Sequence, residues 1–452
     1  MQKEKKSYDL TTGPILNKLV ILAMPLMGNA FMQMAFNLSD MFWVSSLADE
    51  AVAAVGTAGM YLWLSFAFVL IGRMGAEIGV SQMIGKNDIE GAKKYAQNAF
   101  IVALFLGVTY SVLVSVFRTE LIGFFGIEDK IVVHWGEQYL FISALSFPFF
   151  FINNVITGVF NGYGNTKLPF LINSFGLVLN IVLTPVFIFV FEMGVVGAAV
   201  GTVVAQVINV VLKIWAIKYY KNRPFEKYSF FAPLEKKYVK QIFKWGTPVA
   251  IESALFTLLF MIVSRRVADF GVGALSAQRV GAQVESLSWM ISGGFSSAVT
   301  AFVGQNYGAK KYDRLNEGYK ISMIVMGAYG VFATFVLVVF ANPLISIFLD
   351  NPEYIAFGVS YLRIFGIFQI VNCMEAVAIG AFRGKGLTTK PTIVSVVSNI
   401  LRVVLAYAFA ATHLGLIGVF VGSAIATTIR SIWAIIWYKL HSAKTTNLAD
   451  CA

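Results

Sequence analysis

The chain has 452 residues, 58% hydrophobic and 13% charged, with a mean hydropathy of +0.73; soluble domains carry roughly a quarter charged residues, so an integral membrane protein is expected. Three His and two Cys argue against a metal centre or a disulfide framework, since both need clustered ligands. The net charge of +11 falls mostly in short segments between apolar runs, a topology signal that leaves no role for nucleic acid.

The N-terminal sequence MQKEKKSYDL is polar, and no small-residue cleavage site follows a short apolar core. No cleaved signal peptide is expected, and residues 1–18 read as a cytoplasmic segment ahead of the first span. That span, 19–46, holds Asp40 inside NLSDMFWV, and no Lys, Arg or His lies between Lys18 and Arg73. An acid at bilayer depth costs about 2.5–3.5 kcal/mol on insertion scales unless it protonates, binds a cation or lines a wet cavity. Asp40 is therefore a functional candidate, and an acid at the outer interface is the alternative. Met24, Met27, Met32, Met34 and Met41 give this span thioethers able to repack around varied ligands.

Eleven further apolar segments are long enough to cross about 30 Å of hydrocarbon: 52–83, 95–117, 133–157, 168–191, 194–219, 241–268, 273–303, 318–341, 354–379, 391–411 and 415–438. Bases concentrate on alternate loops, at Lys86, Lys93, Lys94, Lys167, Lys310, Lys311, Arg314, Arg383, Lys385 and Lys390. Both termini are accordingly expected in the cytoplasm, with Arg265 and Arg266 as exceptions to the pattern. The longest break, 221–240, is basic and divides the chain nearly in half. It reads as a cytoplasmic linker, part of which can lie on the membrane as an amphipathic helix. Residues 441–452 read as a cytoplasmic tail.

The halves repeat. GVFNGYGNTKLP from Gly158 matches GAFRGKGLTTKP from Gly380 at a constant offset of 222, GVVGAAVG from Gly194 matches GLIGVFVG from Gly415, and Pro25, Gln82 and Gly85 correspond to Pro248, Gln305 and Gly308. Each repeat holds six spans, an even number, so the repeats run parallel. The expected fold is an all-α membrane protein of twelve transmembrane helices in an N-lobe (19–220) and a C-lobe (241–440), with a cavity between them.

This duplicated frame, with SQMIGKNDIEGAKK after span 2, GQNYGAKKYDR after span 8 and the repeated G-x-G-x-T-x-x-P segment, resembles the multidrug and toxic compound extrusion (MATE) family. The resemblance covers nearly the whole chain. It implies antiport in which Na⁺ or H⁺ entry drives export of amphipathic, often cationic compounds, with no cofactor beyond the coupling ion. Asp40 matches the family's acid in the first helix. Asn180 and Thr184 in LNIVLTPVF share a helical face and match a polar pair in which family members carry an acid where Thr184 stands; a neutral oxygen still ligates Na⁺, but one charge is lost. Thr202 matches a further polar position of that site. Interhelical hydrogen bonding alone is the alternative reading for all three neutral residues.

Lower in rank stand Asn153 and Asn154 in span 4, Glu252 in span 7, and Asn372 and Glu375 in span 10. In one branch of the family an acid lies one turn beyond Glu252, where Phe256 stands, and another aligns with Asn372, so neither role transfers directly to Glu252 or Glu375. Arg73 and Glu77 can compensate each other at i, i+4; Glu285, six residues after Arg279, needs another partner. Cys373 and Cys451 read as free thiols. The expected function is cation-coupled export of organic cations by a monomeric cytoplasmic-membrane antiporter. A lipid-linked oligosaccharide flippase is the rival, favouring cavity arginines of which Arg279, Arg363 and Arg402 are candidates, yet it commonly has more than twelve helices. No nucleophile or metal-ligand constellation supports an enzyme, and no filter repeat supports a channel.

Overall fold

The computed structural model describes residues 8–449 apart from 227, and their side chains apart from 37 and 443–449; Cys451 lies outside the described residues. Among the described residues there is no strand. The helices of the first half are α1 (Ile15–Ser45), α2 (Asp49–Gly85), α3 (Ile89–Val116), α4 (Arg118–Gly123), α5 (Lys130–Ala144), α6 (Phe147–Tyr163), α7 (Lys167–Pro185, prolonged by a π-turn over Val186–Val190) and α8 (Gly194–Tyr219). Those of the second are α9 (Lys236–Ala268), α10 (Val272–Gly308), α11 (Tyr312–Val339), α12 (Ala341–Ser346), α13 (Pro352–Ile367), α14 (Gln369–Gly384), α15 (Thr389–Ala410) and α16 (Gly415–Ala449).

Ten of these are long and apolar enough to cross a membrane, and two bent pairs, α5–α6 at 46° and α13–α14 at 53°, bring the spans to twelve. The bent pairs are the fourth span of each repeat. Pro148 at the start of α6 has no N–H to continue the ladder and restricts the residue before it; the α13–α14 break has no such proline. Spans expected at 52–83 and 273–303 run longer, as α2 and α10. The first turn of α2 carries Asp49 and Glu50, which hydropathy scores as loop although acids favour a helix N-terminus.

The chain packs as two units, one built mainly from Gly28–Ala250 and the other from Leu10–Met27 with Ile251 onwards. This division differs from contiguous lobes at 19–220 and 241–440 in two segments. In the second unit, Leu10 N donates to Gln305 Oε1 at 3.1 Å and Asn306 Nδ2 donates to the Leu10 carbonyl at 3.2 Å. In the first unit, Trp245 of α9 stacks on Tyr95 with ring centroids 5.6 Å apart, and Gly246 lies against the Ile71 backbone. The crossing points, Met27/Gly28 and Ala250/Ile251, are 223 residues apart. Each follows the corresponding proline, Pro25 or Pro248, by two residues.

The repeat is also visible in backbone geometry. Left-handed residues recur in register: Asn87 (φ 58) with Lys310 (φ 57), Gly164 (φ 96) with Gly386 (φ 75), and Gly194 (φ 56) with Gly415 (φ 52). The duplicated glycines sit where helices touch. A Cβ at Gly158 or Gly162 would fall under 3.0 Å from the Arg73 or Glu77 carbonyl, and one at Gly380 or Gly384 likewise from the Ser296 or Thr300 carbonyl. Without a side chain there, α6 closes on α2 and α14 on α10.

Gly162→Ala therefore forces backbone apart and is expected to cost about 1–3 kcal/mol by overpacking. Gly56→Ala, where nothing lies within 4 Å of the added carbon, should gain up to about 1 kcal/mol from helix propensity. Thermal unfolding of the detergent-purified variants checks the difference in sign.

Candidate functional site

In the first unit, α1, α7 and α8 bring Asp40, Asn180, Thr184 and Thr202 into one network. Thr202 Oγ1 donates to Asp40 Oδ2 at 3.0 Å, and Asn180 Nδ2 reaches Thr184 Oγ1 at 3.1 Å and Thr202 Oγ1 at 3.3 Å. Asn180 and Thr184 are fully buried. The spacing of four puts both on the face of α7 towards α8, where a Cβ at Gly201 would meet Thr184 Oγ1 at 2.9 Å. Asp40 Oδ1 and Asn180 Oδ1 are buried acceptors without a hydrogen-bond partner, and Asp40 forms no ion pair among the described residues. Orphaned acceptors around one carboxylate are a fit for a proton or a hard cation, which takes oxygen ligands.

The acids of the second unit are held differently. Glu375 on α14 meets Arg430 on α16: Arg430 Nε lies 2.8 Å from Oε1, off the hydrogen-bonding line, and Nη2 donates to Oε2 at 3.0 Å. Ser431 Oγ also lies 2.6 Å from Glu375 Oε2 and 3.0 Å from Asn372 Oδ1. Glu252 on α9 lies 3.5 Å from Arg383 Nη2, with Thr392 Oγ1 at 3.4 Å. Asn372, Glu375, Arg383 and Arg430 line a cavity of about 200 Å³. Glu285, the acid that needed a partner, accepts from Tyr361 OH at 2.9 Å and from Gln369 Nε2 at 3.0 Å.

The sequence model of the MatE family matches residues 25–186 and 248–408, one stretch in each repeat. The chain belongs to the MatE family. It is similar to the probable multidrug resistance protein NorM of Thermotoga maritima, 27% identical over 435 residues that cover 94% of this chain and 92% of the relative. The probable multidrug resistance protein YpnP of Bacillus subtilis is also 27% identical, over 98% of this chain and 99% of its own. A crystal structure of MATE in the bent conformation shares the fold, with a TM-score of 0.92, 24% identity and coverage of 98% and 99%.

On this MatE frame Asn153 and Asn154 stand apart from the Asp40 network. Asn154 Nδ2 bonds back to the Phe150 carbonyl at 2.9 Å, whereas the Asn153 carbonyl lies 3.4 Å from Lys213 Nζ. Lys213 is a residue that the sequence reading passed over. It is completely buried on α8, donates to Thr157 Oγ1 at 2.7 Å, and forms no ion pair among the described residues. The rule that singled out Asp40, an uncompensated charge within an apolar span, applies to Lys213 as well. Cys373 is a free, buried thiol, near Ser292 Oγ at 3.4 Å.

Removing an acid should have different consequences in the two units. Glu375→Gln leaves Arg430 without its carboxylate and should destabilise the fold by about 3–5 kcal/mol, whereas Asp40→Asn strands no cation and should stay within about 1 kcal/mol of wild type or above it. Denaturation monitored by tryptophan fluorescence in one detergent compares the two variants directly.

Proposed function

We propose that this MatE chain is a secondary antiporter that exports small amphipathic organic cations, driven by Na⁺ or H⁺ moving inward through the Asp40 site. The observation that carries the reading is the Asp40 carboxylate without a counter-ion among the described residues, held in a network of three neutral side chains that contains a second orphaned acceptor, Asn180 Oδ1. A carboxylate so placed is destabilised as a bare anion and is relieved by a proton or a cation. Thr202 orients one oxygen and leaves the other for the ion; Asn180 and Thr184 supply neutral oxygens. With Thr184 in place of a second acid, the site holds one elementary charge at a time.

Coupling follows from a difference in affinity between two states. An ion shifts the carrier only if it binds one access state more tightly than the other, and a network drawn from α1, α7 and α8 changes its ligand set whenever these helices move. The export of amphipathic compounds is carried over from relatives named as probable multidrug resistance proteins. The alternation of basic loops supports a cytoplasmic-membrane protein with both termini inside. Two parallel repeats in one chain supply both halves of a carrier, which supports a working monomer.

The test is efflux of a fluorescent organic cation from proteoliposomes, with Na⁺ and pH gradients imposed separately. One gradient should drive wild-type efflux, and Asp40→Asn should fall to the level of protein-free liposomes; efflux unchanged in a folded variant overturns the mechanism. Thr184→Ala and Thr202→Val each remove one neutral group and should weaken the driving ion's half-saturation by about threefold to tenfold, as expected for loss of a single hydrogen-bond-strength contact.

A further inference from the structure

At the offset of 222 that relates the repeats, LNIVLTP of α7 aligns with LRVVLAY of α15. Arg402 then stands where the first repeat has Asn180, and Ser423 and Val263 correspond to Thr202 and Asp40 at offsets of 221 and 223. Arg402, Ser423 and Val263 all line one cavity of about 140 Å³ in the second unit. The duplicated site is thus present there with its acid replaced by an aliphatic residue and its amide by a guanidinium.

The charged group left unsatisfied in this cavity is a donor. Arg402 is 7% exposed, and its Nε and Nη2 have no hydrogen-bond partner. Its guanidinium carbon lies 5.1 Å from the centre of the Phe256 ring and 5.5 Å from that of Phe260, so the cation already occupies the aromatic faces that an organic cation would seek. The one carboxylate in the wall, Glu285, attracts Arg402 through space but forms no hydrogen bond or ion pair with it, its two oxygens accepting from Tyr361 and Gln369. Gln278 Oε1, an acceptor, and the Ser423 hydroxyl are further orphans of the same wall. A buried guanidinium fork whose N–H groups lack acceptors is costly, and a carboxylate matches its geometry. Around it, Phe256, Phe260, Trp289 and Phe420 leave a space close to that of an apolar cavity known to take one benzene ring.

We propose that this cavity is a second ligand site of opposite polarity to the Asp40 site, taking a single-ring aromatic carboxylate. Its carboxylate pairs with Arg402 Nε and Nη2, its ring packs among the phenylalanines and Trp289, and a ring hydroxyl donates to Gln278 Oε1. The site does not depend on the antiport reading, because binding requires neither a gradient nor Asp40.

The experiment is isothermal titration of the purified full-length protein in detergent with 4-hydroxybenzoate and with its cationic counterpart 4-hydroxybenzylamine. Wild type should bind the acid saturably and the amine at least tenfold more weakly. Arg402→Gln should lose tenfold or more in affinity for the acid, and Arg402→Lys, which keeps the charge without the fork, should fall between. Preferential binding of the amine, no saturable binding of the acid, or an unchanged affinity in a folded Arg402→Gln overturns the proposal. If Arg402→Gln does not fold, the wild-type preference and Arg402→Lys decide.

Discussion

A charge taken out of water must find a partner, and the buried charges of this chain meet that requirement in different ways. In the second unit Glu375 is held by Arg430 and Glu252 by Arg383, so these two acids have their counter-charges in the protein. Such pairs repay much of the desolvation cost and stay fixed. Among the described residues Asp40 has hydroxyl and amide neighbours and no counter-charge, and on the antiport proposal its partner arrives from outside. The same constraint is met within the protein at Glu375 and Glu252, and it is left open at Asp40 and at Arg402.

The backbone frame did not diverge in step with the interiors. Close approach at Gly158 and Gly162 is matched at Gly380 and Gly384, and left-handed turns recur at equivalent positions. These features are set by the distance between helix axes and by chain reversal, which any working version of the fold must keep. Interior polar residues are set by what must be neutralised, and so Asn180 could give way to Arg402 without disturbing the helices that carry them.

That division explains what was legible in the sequence. The twelve spans, the parallel duplication and the Asn180–Thr184 face follow from composition, offset and helical period, which are local or periodic signals. Asp40 stood out because no base lies near it along the chain. Partnership across the fold carries no such signal: Arg430 is 55 residues from Glu375, and nothing in VNCMEAVAIG points to it. The passage of α1 and α9 between units was equally hidden, because Pro25 and Pro248 mark the place without saying which unit each half-helix joins. Lys213 was within reach of the rule applied to Asp40, but its position in the last turns of span 6 reads as an interfacial base.

Both polar clusters hang on the same construction, a pair of helices drawn together by small residues. Gly197 and Gly201 of α8 press on the Phe187 backbone and on Thr184; Gly418 and Gly422 of α16 press on the backbone at Phe409 and Leu405. With backbones this close, a side chain such as Thr184 has little room to turn towards a different partner. Orphaned atoms then stay orphaned instead of relaxing onto neighbours, and the unmet demand is preserved for a ligand. Held in this way, Asp40 Oδ1 and Asn180 Oδ1 on one side and Arg402 Nε and Nη2 on the other are preorganised, and the ordering entropy is spent in folding and not in binding. The close approach at these glycines is what holds the two polar clusters in place.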